Sequence, residues 1–347
     1  MRWQRLWIVA GSRSGALRFD GGGSRFAWHF DGARRDSDDY DIPGFASVAP
    51  APGDVPGVLV NSAAESDAAA FGGSWLGDTS FFGVGVSVFD TLYGIPGDEA
   101  VRIDLDQRRV DVRGGWMELP GAIEGVNVRV AMNDYEHVEL EGDEIGTRFT
   151  NDASEARIEL LHRPFGDWSG AFGIQVGDRE FAAVGDEAFV PPVDSSNIGA
   201  FLVEQLDLDA WQLSLGGRVE SQEHTPSNGL ASVDGTATSL SAGGVRSFGD
   251  HYSLALNFAL SERLPVAEEL YSDGPHLATG VVQIGDAALR AETARHVDIG
   301  LRSAAGERTW SVTGFYTRFA DFIYLADTGD IDPVDGLPIF VFTQADA

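Results

Sequence analysis

An all-β fold, an antiparallel up-and-down transmembrane β-barrel, is predicted from three observations. Segments of about ten residues alternate bulky apolar with polar or small side chains, the length a tilted membrane strand needs. Short turns alternate with long connections along the chain. No run approaches the ~18–20 apolar residues of a transmembrane helix, and no stretch shows a convincing amphipathic helical period.

The strands follow in chain order. In IEGVNVRVAMN, Val126, Val128, Val130 and Met132 oppose Asn127, Arg129 and Asn133. DWSGAFGIQV sets Trp168, Phe172, Ile174 and Val176 against Ser169, Ala171 and Gln175. In WQLSLGGRVESQ, Trp211, Leu213, Leu215 and Val219 oppose Gln212, Ser214, Arg218, Glu220 and Gln222. HYSLALNFALS places Tyr252, Leu254, Leu256, Phe258 and Leu260 on one face, and His296 to Arg302 alternates again. About fourteen such segments are visible. A soluble sandwich alternates too, so the polar face discriminates: Arg, Glu, Asn and Gln among Gly, Ala and Ser suit a hydrated interior. Trp168 and Trp211 open their segments beside short turns, where interfacial girdle residues sit.

Short connections fall at 20–24, 118–122, 163–168, 207–210, 247–251 and 303–309. Long ones fall around 37–75, 90–100, 136–147, 183–197, 222–237, 262–293 and 326–337. From Gly121 onward the two kinds alternate strictly, as short periplasmic turns and long extracellular loops do in an outer-membrane barrel. The stretch SERLPVAEELYSDGPHLATG (261–280) is then an extracellular loop, its VAEELY a helical turn that Pro265 helps to start. The absence of a fixed-period repeat counts against a propeller.

Composition narrows the function. At 347 residues the chain is long enough for two ordinary domains or one large barrel. A formal charge of −30 and a pI near 4.3 leave no basic stripe for nucleic acid. All 24 Lys-or-Arg positions are arginine. Cysteine is absent, which removes disulfides, thiolate metal sites and thiol nucleophiles. No G-x-S-x-G or G-x-x-x-x-G-K-[ST] signature appears, so no enzyme activity and no bound cofactor are expected. At the N-terminus Arg2 and Arg5 precede a short apolar run, Leu6 to Ala10, below the usual ~7–15 residues of a signal peptide. It reads as the remnant of a strand.

Several motifs carry a family resemblance. SERLPVAEELYSDGPHLATG followed by QIGDAALRAETARHVDIGLR resembles a late barrel segment of TonB-dependent outer-membrane receptors. WSVTGFYTRFADFIYLADTG and FTQADA resemble the strands that follow. FAWHFDGARRDSDDYDIPGFA, LYGIPG, YEHVELEG and GAFGIQV are similar to the first half of the same barrel. Within the superfamily the chain most resembles the subgroup that includes zinc-uptake receptors.

The resemblance implies active uptake of a scarce nutrient, zinc or another metal or metal chelate, across the outer membrane of a Gram-negative bacterium. It also implies outer-membrane lipid around the barrel, a plug domain inside it and a TonB energy-coupling complex as partners. Against a barrel of ~22 strands, residues 1–347 read as an incomplete barrel without the N-terminal plug and the C-terminal strands. A passive porin-like channel or surface-binding barrel is the alternative from another class, and a soluble β-rich protein a third.

Zinc or a similar cargo would need His nitrogens and carboxylate oxygens. The resemblance implies an extracellular His and a barrel Glu around the metal, matching His276 in SDGPHLATG and Glu187 in GDEAFVPP. LYGIPGDEA offers Asp98 and Glu99 but no histidine. YEHVELEGDE gathers Glu136, His137, Glu139, Glu141, Asp143 and Glu144, read here as one acidic loop that attracts cations or is simply solvated. Glu136 and His137 join the candidate metal set on that basis. The competing role for His276 is packing or capping its loop, and His162, His251 and His296 are expected to be structural.

Overall fold

The computed structural model describes residues 11–52, 54–96, 101–142, 144–185, 188–249, 251–276, 279–305 and 308–347. The first hairpin is β1 (Ser12–Gly22) and β2 (Phe26–Ser37), followed by the small pair β3 (Tyr40–Asp41) and β4 (Val58–Leu59). Then come β5 (Ala64–Leu76), β6 (Ser80–Gly94), β7 (Val101–Trp116), β8 (Ile123–Glu141) and β9 (Glu144–Phe165). They continue as β10 (Trp168–Gly185), β11 (Val193–Leu208), β12 (Trp211–Pro226), β13 (Val233–Phe248) and β14 (Tyr252–Arg263). A long connection carries α1 (Ala267–Tyr271), β15 (Asp273–His276) and β16 (Val281–Ile284). The chain returns as β17 (Glu292–Ala305), β18 (Arg308–Ala320), β19 (Phe322–Ile331) and β20 (Pro338–Ala345).

Fourteen of these strands form one sheet in the order β1-β2-β5-β6-β7-β8-β9-β10-β11-β12-β13-β14-β17-β18. Every neighbour in it is antiparallel, so the up-and-down topology is as predicted. Among the described residues β1 pairs only with β2 and β18 only with β17 within this sheet. Ala347 exchanges both backbone hydrogen bonds with Phe319 of β18. The turns at one end are tight, and Gly166 and Gly249 take φ of 60° and 58° there, a conformation that costs glycine little.

Alternation sorts the side chains by solvent. On β10, Phe172, Ile174 and Val176 point outward and are 39%, 53% and 39% exposed, a surface that lipid would cover. The inner face carries polar pairs on one strand or its neighbour. Arg157 donates to Glu159 (2.9 Å), Gln175 to Glu155 (2.7 Å) and Asn257 to Asp298 (2.9 Å).

Toward the other end the two faces exchange character. On β7 the outward residues change from Val110 and Val112 to the exposed Asp104 and Asp106, while inward Ile103 and Val101 are buried. On β10 the outward row becomes Asp178 and Glu180, and the inward row becomes Phe181 and buried Ala183. Beyond the bilayer the outside meets water, and the inside is filled by folded loops.

That exchange corrects the expected loop boundaries. Residues 136–141 and 144–147 belong to the upper parts of β8 and β9 rather than to a loop. Connections 90–100, 183–197 and 222–237 shrink likewise as their strands run on, and β5 occupies much of 37–75. The β5–β6 turn at 77–79 carried too little bulky alternation around it, in AESDAAAFGG, to be recognised. The helical turn at VAEELY is present as α1, with the Glu269 carboxylate accepting from the Val266 N–H at 2.9 Å.

Ile174→Arg is expected to destabilise the folded barrel in phospholipid vesicles by about 2–4 kcal/mol, the cost of a midplane cation on the lipid face. Ala171→Ser, on the inner face of the same strand, should stay within about 0.5 kcal/mol. Equal effects in denaturant titrations would show that the faces are misassigned.

Candidate functional site

The connection from β14 to β17 folds inward onto the wall instead of extending into solvent. Ala267, Leu270 and Tyr271 of α1 are buried with Phe149 of β9, Ala183 of β10, and Phe189, Val190 and Val193 before and at the start of β11. Leu289 and Ile323 complete this core, with Phe181, Val233 and Phe342 packed against it. Removing Leu270 to alanine would forfeit about 2–5 kcal/mol of packing.

Polar ties fix the seat. Arg179 of β10 donates to Glu268 of α1 at 2.6 Å and to Asn151 of β9 at 2.7 Å. Arg263 bridges Glu269 and Glu292 (2.9 and 3.3 Å). The Tyr271 hydroxyl lies 3.1 Å from the carbonyl of Ala231 and 3.3 Å from that of His224. Buried His224 accepts at Nδ1 from the Ser195 hydroxyl (2.7 Å) and donates from Nε2 to the Pro265 carbonyl (3.1 Å). The far side of the connection is held by strand pairing. β15 pairs with β16, β16 runs parallel to β20, and β20 pairs with β19, making a separate four-stranded sheet.

Two of the four expected metal residues are brought to this seat. His137 of β8 points inward and stacks on Phe149, ring centroids 4.5 Å apart. Phe149 lies 6.2 Å from Phe189, and Phe189 stacks on His276 at 4.3 Å. The Nδ1 atom of His137 is buried with no hydrogen-bond partner among the described residues. His276 Nδ1 lies 3.0 Å from the Gln283 amide nitrogen, which also reaches Thr279 at 3.3 Å. Burial pushes the His276 pKa below the ordinary imidazole value, and burial plus repulsion from His276 does the same for His137. His224 is also lowered, by burial first. All three rings are therefore biased toward the neutral form, the form that offers a nitrogen lone pair.

The remaining candidates do not join them. Glu136 precedes His137 on a strand, so it projects to the opposite, outer face, where it faces Arg148 at 3.6 Å. The acidic run read as one loop is thus divided between two faces, with Glu139 buried inside and its pKa raised by burial. Glu187, Asp143, Asp98 and Glu99 lie outside the described residues. Among the described residues no group of three or more His, Asp or Glu is placed to hold a metal ion.

His162 contacts Glu204 (3.1 Å), and His296 contacts Thr317 (2.7 Å) on the wall. Sequence reading missed His224, Arg179 and the Phe149–Phe189 pair. The available signal was the inward row Gln222–His224, which continues a recognised polar face.

Residues 14–347 match the family described as TonB dependent receptor-like, beta-barrel. Among solved structures the chain is similar to the copper transporter OprC, with a TM-score of 0.76 at 16% identity over 100% of this chain and 58% of that one. It is similar to a double mutant of the Serratia marcescens hemophore receptor HasR in complex with HasA and heme (TM-score 0.77, 14% identity, 97% of this chain and 58% of that one). The FrpB iron transporter of Neisseria meningitidis, F5-1 variant, gives 0.74 at 13% identity over 96% of this chain and 56% of that one. The chain thus spans somewhat more than half the length of each.

A histidine whose folded pKa lies below its unfolded value of ~6.5 stabilises the seat while neutral. That contribution is complete above ~6.5 and is lost as pH falls through 6.5 toward the depressed folded value. Amides of 266–276 and 281–289 should therefore exchange faster at pH 5.5 than at pH 7.5 once the chemical exchange rate is corrected. Unchanged corrected protection would show that these imidazoles do not hold the seat.

Proposed function

Because the chain belongs to the TonB-dependent receptor-like β-barrel family, we propose that it forms the barrel wall of an outer-membrane receptor that imports a scarce nutrient into a Gram-negative cell. The nutrient is a metal ion or metal chelate, zinc being one member of that class. The observation that carries this reading is the inward-folded connection 264–291, which sets His276 beside a luminal aromatic row ending in His137.

The parts have separable tasks. The outer apolar band supports the wall in lipid, and the inner polar pairs keep the lumen hydrated. A net charge of −30 raises the local concentration of cations near the extracellular rim. Neutral His137 and His276 offer lone pairs to a metal or to the polar edge of a chelate. Gln283 can hold His276 in either tautomer, because its amide can present a donor or an acceptor to Nδ1. Passage through the lumen requires a plug in the wall's interior and force from a TonB complex, both proposed partners. The copper, heme-hemophore and iron cargoes of the similar structures belong to those proteins. Their range supports the broad cargo class chosen here.

A strain lacking the gene should grow poorly under metal starvation, and the wild-type gene should restore growth. His137→Ala and His276→Ala receptors, present in the outer membrane at normal levels, should restore it only in part. Normal uptake of zinc, copper and iron chelates by the deletion strain would overturn the transport reading. Full rescue by both variants would remove the two histidines from it.

A further inference from the structure

Beneath the seat of α1, at the level where the wall's faces exchange character, lies a luminal cavity of about 390 Å³. That volume is in the range of small-molecule sites. Two registered rows build it. One runs Ala131–Glu155–Gly177–Asn197 across β8 to β11, and the other runs Arg109–Asn133–Ala153–Arg179 across β7 to β10. Ala131, Ala153 and Gly177 make the hollow by being small, and Val266 from the connection borders it. A Cβ on Gly177 would come within 2.8 Å of the Asn197 side chain.

The two arginines beside the hollow are already paired. Arg109 donates twice to Asp111 (2.8 and 3.0 Å), and Arg179 donates to Glu268 and Asn151. Arg179 therefore presents no free fork to an anion, and the positive charge of Arg109 is already balanced by the Asp111 carboxylate. What remains available is of another kind. Asn133 accepts from Gln107 at 2.7 Å, which leaves its own amide N–H groups for a ligand. Among the described residues the Asn197 side chain, which lines the hollow, makes no hydrogen bond. Glu155 accepts from Gln175 through one oxygen (2.7 Å) and keeps acceptor capacity on the other. Amide donors and acceptors beside a hydrogen-bonded carboxylate match hydroxyl groups, each of which both donates and accepts.

We propose that this cavity is a binding site for a neutral, hydroxyl-rich ligand, the size of a small sugar or of the hydroxyl-bearing frame of a chelate. The proposal rests on the transport reading only in treating that ligand as cargo or part of it. Selection against anions comes from the Asp111 and Glu268 carboxylates paired with Arg109 and Arg179, so a residue that seats the loop also sets part of the cavity's charge preference.

The test uses the full-length protein in detergent micelles, with sucrose, citrate and spermidine as probes and ligand-observed NMR saturation transfer as the readout. Sucrose should bind, and citrate and spermidine should not compete with it. Asn197→Leu should weaken sucrose at least tenfold, with heat-modifiable gel mobility confirming the folded barrel. Glu268→Gln frees Arg179 and should create citrate binding that the wild type lacks. No sucrose binding, sucrose binding indifferent to Asn197→Leu, or displacement of sucrose by citrate or spermidine in the wild type would each overturn the proposal. These results stand apart from the uptake assay. Sucrose binding that Asn197→Leu abolishes upholds the site even in a strain whose starvation uptake is normal.

Discussion

Every backbone N–H and C=O in the bilayer must find a partner within the protein, because lipid offers none. The antiparallel ladder meets that requirement for the strands lying between β1 and β18 in the sheet, each of which has a neighbour on both sides, and the other features follow from it. A ladder fixes the alternation of side chains, so one face must suit lipid while the other meets the lumen. It also fixes where turns occur, short at one end and free to lengthen at the other. Several luminal charges find their partners close by. They pair along the strand or to its neighbour, as Arg109–Asp111, Arg157–Glu159 and Arg218–Glu220 do.

The bilayer edge is where the pattern turns over. Phe149, Phe181 and Ala183 point inward at positions that lie in line with Arg157, Gln175 and Arg179 lower on the same face. The core around α1 is thus an ordinary water-excluded core built on the inner side of a membrane wall. Its members come from β9, β10, the segment leading into β11 and its first residue, and the connection itself, with Ile323 from β19. Anchored at Arg179, His224 and β20, the connection is a fixed roof over the luminal cavity. The aromatic–imidazole row and the cavity both depend on that roof, since His276, Glu268 and Val266 all belong to it.

Fold class, strand direction and the helical turn of α1 were legible because lipid imposes a strong period-two signal on segments such as DWSGAFGIQV and HYSLALNFALS. The upper strands were not, because their outer face meets water and their inner face becomes apolar. YEHVELEGDE looks acidic throughout, and only pairing with β7 and β9 separates Glu136 from His137. His276 was found through motif resemblance, whereas His224 and Arg179 act through partners more than forty residues away, a distance that alternation cannot report. The pairing of β16 with β20 was equally hidden, being a parallel contact between a strand of the connection and a strand far along the chain from it.

The reversal of faces along one strand is the claim on which the site's geometry rests. The chain has no native cysteine, so single cysteines can be placed through positions 171–183 of β10 and spin-labelled in vesicles. Even positions 172, 174 and 176 should be accessible to oxygen from lipid. From Asp178 upward the even positions should become accessible to a water-soluble relaxant, while 181 and 183 become inaccessible to both. An alternation that keeps one phase through Ala183, or none at all, would contradict the account.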